Sequence, residues 1–150
     1  MDYRTRRPLK DFGNTRDIGD IIDNPILTAG NIENNRQQYL ITSANDGMVY
    51  VFRSSNSSNH PYDLKFNYMP MGIERQSNNG SDLIAHYYKD LTSKKYGSND
   101  SYPHRYLLNG GMVVQQTDGS NNRPQQIFMV STLGQAGRGA FGINIGGMMS

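Results

Sequence analysis

The first residues that could do chemistry are three aspartates near the start of the chain, spaced three residues apart. They are Asp17, Asp20 and Asp23. Carboxylate oxygens are the ligands that Ca²⁺ and Mg²⁺ prefer, so such a group could bind a cation. A calcium loop of the EF-hand type places its side-chain ligands at alternate positions, and a spacing of three does not match that pattern. The three aspartates are therefore weak candidates for a metal site, and their alternative role is to cap turns before the first strand.

Histidine is the second residue type that could bind a metal. The chain contains His60, His86 and His104, which are too far apart in the sequence to form a local ligand set. Only folding could bring them together, and His86 lies beside the apolar face of a predicted helix, where packing explains it equally well. No nucleophile signature of the G-x-S-x-G or H-E-x-x-H type occurs. We therefore predict that the chain is not an enzyme.

A glycine-rich segment near the end of the chain is similar to a phosphate-binding loop. Its characteristic residues are Gly134, Gly137, Arg138 and Gly139. A phosphate loop ends in Lys-Ser or Lys-Thr and opens a helix, whereas this segment lacks that ending and precedes a predicted strand. We interpret it as a turn between two strands.

The composition limits the class of protein. The chain has 150 residues, of which 35% are hydrophobic, and its mean hydropathy is −0.70, so we expect a thin core and much loop. It has no cysteine, which excludes disulfides and thiolate metal sites. The net charge of +2 is small and the basic residues are scattered, which argues against a nucleic-acid partner. The sequence shows neither a membrane-spanning apolar stretch nor a secretory signal peptide.

The elements that must position these residues are short strands separated by polar turns. The sequence SANDGMVYVF illustrates the pattern: Asn45, Asp46 and Gly47 tolerate the backbone of a tight turn, and β-branched and aromatic residues follow. Alternation and strand-forming residues predict strands at Ile26-Leu27, Tyr39–Ser43, Met48–Phe52, Asp63–Met69, Arg105–Leu108, Gly111–Val114, Ile127–Ser131 and Ala140–Ile145.

The order of strands and turns occurs twice in the chain. The segment Gln37–Ser43 matches Gln125–Ser131 at an offset of 88 residues, and Ile26-Leu27 stands opposite Met112-Val113 at an offset of 86. Repeated antiparallel meanders are typical of propeller blades. We therefore predict an all-β fragment of a β-propeller with about two blades. Because two blades cannot close a ring, we expect further blades in a longer chain.

One segment between the two copies has a helical period. Apolar residues recur on one helix face between residues 81 and 96, which predicts an inserted α-helix there. The helix belongs to an insert at about 71–104 that accounts for the long spacing between the copies. The partial propeller then covers residues 17–145, between a poorly ordered segment at 1–16 and a truncated tail at 146–150.

Four motifs in order carry a resemblance to a known family. They are GDIIDNPIL at 19–27, ITSANDGMVYVF at 41–52, HRYLLNGGMVV at 104–114 and FMVSTLGQAGRGAFGINI at 128–145. Together they resemble the C-terminal propeller of the PilY/PilC family of type IV pilus-associated proteins. The resemblance covers nearly the whole chain, although the family's proteins are far longer.

The resemblance implies an exported protein at the bacterial outer membrane, cell surface or pilus tip. It implies a role in pilus extension against retraction and in attachment to host cells, with pilus subunits, minor pilins and the host surface as partners. The polar loops Arg53–His60 and Arg75–Gly80 and the exposed side of the helix are the expected contact surfaces. Some family members bind calcium through an Asp-rich loop, and no such loop occurs here, so we expect no cofactor in this fragment.

The sequence leaves two alternatives open. One is a propeller of the quinoprotein type, a PQQ-dependent dehydrogenase, because the sequence NDGMVYVF also resembles blades of that class; the lack of tryptophan argues against it. The other is a generic propeller binding module. Only the sequences that flank this one distinguish that module from a pilus protein.

Overall fold

The computed structural model describes residues 18–30, 37–70, 90, 96, 101, 103–119 and 125–146. Within these residues, seven strands form two separate antiparallel sheets. The architecture is all-β, as predicted, and each sheet is an open meander in which strands that follow one another in sequence are paired.

The first sheet contains four strands in sequence order. They are β1 (Leu27–Ala29), β2 (Tyr39–Ser43), β3 (Val49–Ser54) and β4 (Tyr62–Tyr68). Pro25 lies just before β1, where its missing N–H costs no ladder hydrogen bond. The β2–β3 connection is the Asn45-Asp46-Gly47 turn, and Gly47 has a φ of 85°, which favours glycine. The predicted hairpin is confirmed.

The second sheet contains three strands. They are β5 (Met112–Gln116), β6 (Ile127–Thr132) and β7 (Ala140–Asn144), with a short 3-10 helix at Gly134–Ala136 between β6 and β7. The strand predicted at Arg105–Leu108 is wrong, since these residues form an irregular segment with bends at Leu107 and Leu108. The physical reason is that side chains, not a strand, satisfy its backbone: the N–H of Arg105 donates to the Tyr96 hydroxyl, and that of Leu107 donates to the Asn45 side chain.

The pairing register aligns the two sheets residue by residue. Ile41 in β2 pairs with Leu27 and Val51 on either side, and Met129 in β6 pairs with Val114 and Ile143. Leu27 therefore corresponds to Val114, an offset of 87. The predicted offset of 86 for this strand was wrong by one residue, which exchanges the inward and outward sides of a strand.

A single hydrophobic core contains residues from both sheets. Its central positions are equivalent in the two copies: Tyr39 and Ile41 in β2 correspond to Ile127 and Met129 in β6, and all four are buried. Ser43 and Ser131 occupy a third equivalent buried position. Leu108, Leu133 and Ile145 join the core from outside the strands. The inner faces of the two sheets thus share one core.

The outer faces of the two sheets differ. Thr42 and Tyr50 on the first sheet are each 2% exposed, whereas Val130, which corresponds to Thr42, is 49% exposed. Val113, the direct partner of Val130 on the second sheet, is 66% exposed. The outer side of the second sheet is therefore an apolar surface in contact with solvent.

Several predictions lie outside the described residues. These are the N-terminal segment, most of the helix predicted near 81–96, the loop at 75–80 and nearly all of the tail at 146–150. From the predicted helix the structure describes Asp90, which is helical, and Tyr96, which lies in a turn. The extent of the helix and the domain boundaries stay predictions.

Candidate functional site

The candidate site lies at one end of the molecule, the end that contains a turn of each sheet. The β2–β3 turn and the β6–β7 turn lie at this end, together with the segments that lead into β1 and β5. Hydrogen bonds connect these four segments. We call this region the turn end.

The turn between β2 and β3 is buried, which is unusual for a polar hairpin corner. Asn45 is 2% exposed and Asp46 is 5% exposed. Within the turn, the Ala44 N–H donates to the Met48 carbonyl at 3.0 Å and the Gly47 N–H donates to the Ala44 carbonyl at 3.1 Å. Buried polar side chains need hydrogen-bond partners, and both residues have them.

Asp46 is satisfied by three donors. Its carboxylate accepts the N–H of Gly19 at 3.1 Å, the N–H of Met48 at 3.1 Å and the hydroxyl of Tyr50. The contact with Met48 is the local side-chain bond that aspartate makes in turns, and the contact with Gly19 is long-range. Asp46 thus ties the segment before β1 to the β2–β3 turn.

Asn45 connects the same turn to the segment that leads into the second sheet. Its Oδ1 accepts the N–H of Leu107 at 2.9 Å, and its Nδ2 donates to the carbonyl of Arg105. Its own backbone N–H donates to the carbonyl of Asp20 at 2.8 Å. The turn therefore binds two segments that are distant from it in sequence.

His104 lies at the exposed margin of this network. Its Nε2 is 3.1 Å from Asn45 Nδ2 and 3.8 Å from a carboxylate oxygen of Asp20. Its ring packs against Tyr96 with the centroids 5.5 Å apart and against Tyr106 edge-on at 5.4 Å. The exposed imidazole thus lies next to a carboxylate, the exposed phenol of Tyr106 and the buried phenol of Tyr96.

Asn24 makes two further hydrogen bonds in this network. Its Nδ2 donates to Ser43 Oγ at 2.7 Å and to the carbonyl of Leu108 at 2.8 Å, so it links the end of β2 to the segment before β5. Its Oδ1 is buried without a hydrogen-bond partner among the described residues. An acceptor of this kind is a place where a bound water is expected.

The glycine-rich turn between β6 and β7 has the structure of a connection. Gly134 has a φ of 67° and starts the short 3-10 helix, and a strand follows rather than a helix. The N–H of Gln135 donates to Asn109 Oδ1 at 2.8 Å, and the Leu133 N–H donates to the Gly139 carbonyl at 3.0 Å. Gly137 has a φ of 163°, which is extended backbone. A strand stands where a phosphate loop has the N-terminus of an α-helix.

The three aspartates of the metal hypothesis are only partly described. Asp17 lies outside the described residues, Asp20 faces His104, and Asp23 is exposed. Among the residues that the structure describes, no group of three or more His, Cys, Asp or Glu side chains could hold a metal ion.

The other predicted binding residues are spread over the molecule. His60 lies in the exposed loop between β3 and β4, at the opposite end from the turn end, and His86 lies outside the described residues. The loop Arg53–His60 is largely exposed and is stabilised locally, since Ser55 Oγ donates to the His60 carbonyl. The loop Arg75–Gly80 lies outside the described residues.

Sequence reasoning missed the joining role of Asn45, Asn24 and His104. No local signal marks it, because each of these side chains bonds to a segment at least 19 residues away. The one hint in the sequence is that the turn sequence NDG occurs in a chain whose two repeats must be connected to each other.

Two antiparallel meanders that share a core through their inner faces are consistent with a fragment of a β-propeller. The family model of the PilY1 beta-propeller domain matches residues 18–149. The chain therefore belongs to the PilY1 family of propellers and is a type IV pilus-associated propeller. No curated protein and no solved structure matches it. In the described part of the chain, no helix is long and apolar enough to cross a membrane.

Proposed function

We propose that the chain supplies two neighbouring blades of an exported propeller at the bacterial surface or pilus tip, and that this propeller supports pilus extension and attachment to host cells. Membership of the PilY1 family supports the association with pili. The proposed partners are pilus subunits or minor pilins, the host-cell surface and further blades of a longer chain.

The observation that carries the proposal is a scaffold of two sheets with one shared core and unequal outer faces. The shared core fixes the two blades, and loops on a fixed β scaffold are well suited to recognition. The outer face of the second sheet exposes Val113, Phe128 and Val130, which is the kind of apolar surface that a neighbouring blade or partner covers. The exposed loop Arg53–His60 is the proposed contact with other molecules.

The proposed mode of action is binding without catalysis. The polar side chains at the turn end bond mainly to one another and to backbone groups: Asp46 accepts three hydrogen bonds, and Asn45 uses both ends of its amide. Such side chains position segments rather than activate a substrate. We propose no cofactor for these two blades.

Deletion of the coding sequence in the source bacterium tests the extension role. We expect fewer surface pili, counted by electron microscopy, and recovery of the pili when the retraction motor is also removed. If the number of pili is unchanged, or if the double deletion remains without pili, the chain does not act against retraction.

A loop variant tests the attachment role separately. We expect Asn56→Ala with Asn59→Ala to reduce attachment to host cells while the number of pili stays normal, because both residues lie in the exposed loop. The matched control is Asp118→Ala, an exposed residue after β5 at the same end of the molecule. Equal attachment by both variants would remove this loop from the contact surface.

A further inference from the structure

The two sheets lie side by side with the same strand order and direction. A hydrogen bond joins the segments before β1 and β5 at the turn end, and the Gly30 N–H after β1 donates to Gln116 Oε1 at the end of β5 at 3.1 Å. At the other edge of the sheets, the ring centroid of Tyr68 in β4 lies 6.4 Å from that of Phe141 in β7. The second sheet therefore follows the first strand by strand, as one blade follows another.

Backbone hydrogen bonds show which face each sheet turns towards the other. Within a strand, the chain direction and the side on which a residue's carbonyl lies determine the face that its side chain occupies. The carbonyl of Gln38 before β2 accepts from Ser54 in β3, whereas that of its counterpart Gln126 before β6 accepts from Thr117 after β5. The two carbonyls point to opposite neighbours, so side chains at equivalent positions point in opposite directions.

This reversal lets Ile41 and Met129 face each other across the shared core. When β1–β3 are placed on β5–β7 in the same direction, the inner face of the first sheet therefore coincides with the outer face of the second. The face that the first sheet buries against its neighbour is thus the face that the second sheet leaves exposed.

The outer face of the second sheet has the composition of an interface. The positions of β5, β6 and β7 on this face are all exposed, and none of them is a charged residue. Val113, Phe128 and Val130 form its apolar part. Depletion of charged residues and enrichment of aromatic ones are typical of the buried centre of a protein interface.

Gly142 leaves space on the same face. It lies in β7 and pairs with Val130. A Cβ at this position would lie 3.6 Å from the Met129 carbonyl oxygen and 3.8 Å from Val130 Cγ2, which are ordinary contact distances, so the packing within this chain does not require glycine. Glycine weakens a strand and often marks a place where another backbone or ligand approaches closely. The space above Gly142 fits a side chain from an overlying sheet.

A second copy of the chain does not offer the matching surface. In the same stacking, that surface would be the outer face of the first sheet, at Thr42 and Tyr50, and both residues are buried. Thr42 already bonds to the Pro25 carbonyl, and the Tyr50 hydroxyl bonds to Asp46. These contacts favour a further sheet of the propeller over a second copy as the occupant.

We propose that the outer face of the second sheet docks a third antiparallel sheet of the same polypeptide, which packs on it as the second sheet packs on the first and places an apolar side chain above Gly142. The proposal rests on the further blades named in the proposed function, and it does not depend on the role in pilus extension. A normal number of pili after deletion of the coding sequence would therefore refute that role and leave this interface untouched.

Thiol labelling compares the isolated chain with the protein purified from the source bacterium. The chain has no cysteine, so the substituted residue can be followed by mass spectrometry of its own peptide. Val130→Cys should react with a maleimide in the isolated chain and lose this reactivity in the bacterial protein. Asp118→Cys, at an exposed position after β5, should react in both. Equal reactivity of Val130→Cys in the two preparations would overturn the proposal.

Photo-cross-linking in the bacterium identifies the occupant. With p-benzoylphenylalanine in place of Phe128, we expect a cross-link within one polypeptide, so the mass of the protein stays the same. An adduct with a pilin, or a product of twice the mass, would overturn the third sheet in favour of a partner or a second copy. Gly142→Val should restore maleimide labelling of Val130→Cys in the bacterial protein, and Gly111→Ala, at an open position, should not. Protection that survives Gly142→Val would contradict the contact above Gly142.

Discussion

The two sheets of this propeller fragment share an inner face but not an outer one. Ile41 and Met129 occupy the same position, and both are fully buried. On the opposite side, Thr42 is buried and bonds to the Pro25 carbonyl at 3.1 Å, while the corresponding Val130 is half exposed. The two copies are therefore alike in the core between the blades and differ on their outer faces.

The β2–β3 turn of the first sheet and the β6–β7 turn of the second sheet also differ in burial. In the first sheet, Asn45 and Asp46 are buried and bond to segments on both sides. In the second, Gln135 and Gly139 are exposed, and the link to Asn109 runs through a backbone N–H. The two turns thus have different roles, and the first turn is the one that joins the blades.

The largest effect on stability is expected in the shared core, where the two sheets are alike. Ile41→Ala and Met129→Ala should each lower the free energy of unfolding by about 2–5 kcal/mol, because each leaves a cavity in the shared core. Val130→Ala, on the exposed face next to Met129, should stay within about 0.5 kcal/mol. Denaturant unfolding measures all three. Equal, small losses for Met129→Ala and Val130→Ala would mean that the second sheet does not share the core.

The next largest effect on stability is expected in the β2–β3 turn, which is buried while the β6–β7 turn is exposed. Asp46→Ala should cost about 2–3 kcal/mol, since it removes the acceptor of three hydrogen bonds in a buried place. Tyr50→Phe removes one of these donors and should cost about 1 kcal/mol. Gln135→Ala, in the second turn, should be nearly neutral because its side chain is exposed. If Asp46→Ala is also neutral in denaturant unfolding, the first turn is an ordinary hairpin corner.

A smaller effect separates two glycines that lie close to each other. Gly134 has a φ of 67°, and an added Cβ would lie 2.4 Å from Asn109 Oδ1 and 2.5 Å from the Gly110 nitrogen. Gly134→Ala should therefore cost about 2 kcal/mol from backbone strain and steric overlap. At Gly111 a Cβ would meet no atom within 4 Å, so Gly111→Ala should be almost neutral. Thermal unfolding compares the two, and equal transition temperatures would contradict the described turn.

The smallest effect concerns Tyr39, whose equivalent in the second sheet is the non-titrating Ile127. Burial raises the pKa of the Tyr39 phenol, and the nearby Arg53 partly opposes this. Because the folded-state pKa is the higher one, the stabilisation is present below the ordinary pKa of tyrosine, about 10, and is lost as the pH rises through the folded-state value. Tyr39→Phe should remove this loss of stability at alkaline pH.

The control for this prediction is Arg53→Gln. It should raise the pKa of Tyr39 further, because the opposing positive charge is gone. NMR titration of the Tyr39 ring measures the change among the ten tyrosines of the chain. A pKa that falls in Arg53→Gln would show that Arg53 does not act on this phenol.

Much of the fold could be predicted from the sequence because short strands leave a local record. β2, β3 and β6 are rich in β-branched and aromatic residues, and Asn45-Asp46-Gly47 marks a turn between two of them. The register of β1 was harder, since Ile26 and Leu27 are both apolar and only one can face the core. The structure places Leu27 against the core and leaves Ile26 exposed.

The candidate site could not be predicted, because its contacts join segments that are far apart in the chain. The segment Arg105–Leu108 has the composition of a strand, yet its N–H groups donate to Tyr96 and Asn45, and these bonds hold it in an irregular form. The burial of Asp46 depends on donors at Gly19 and Tyr50, and the residue type alone predicts exposure. The local sequence pattern identifies the turn, but only the packing of both sheets makes it a connection between the blades.

Hydrogen exchange at the Leu107 amide tests most directly whether the Asn45-Asp46 turn joins the blades. This N–H donates to Asn45 Oδ1 at 2.9 Å, and the Gln135 N–H donates to Asn109 Oδ1 at 2.8 Å, which makes Gln135 the internal reference. In Asn45→Ala, exchange at Leu107 should become about five- to ten-fold faster, as expected for the loss of one buried hydrogen bond, while Gln135 is unchanged. Unchanged exchange at Leu107, or equal acceleration at both amides, would contradict the joint between the two blades.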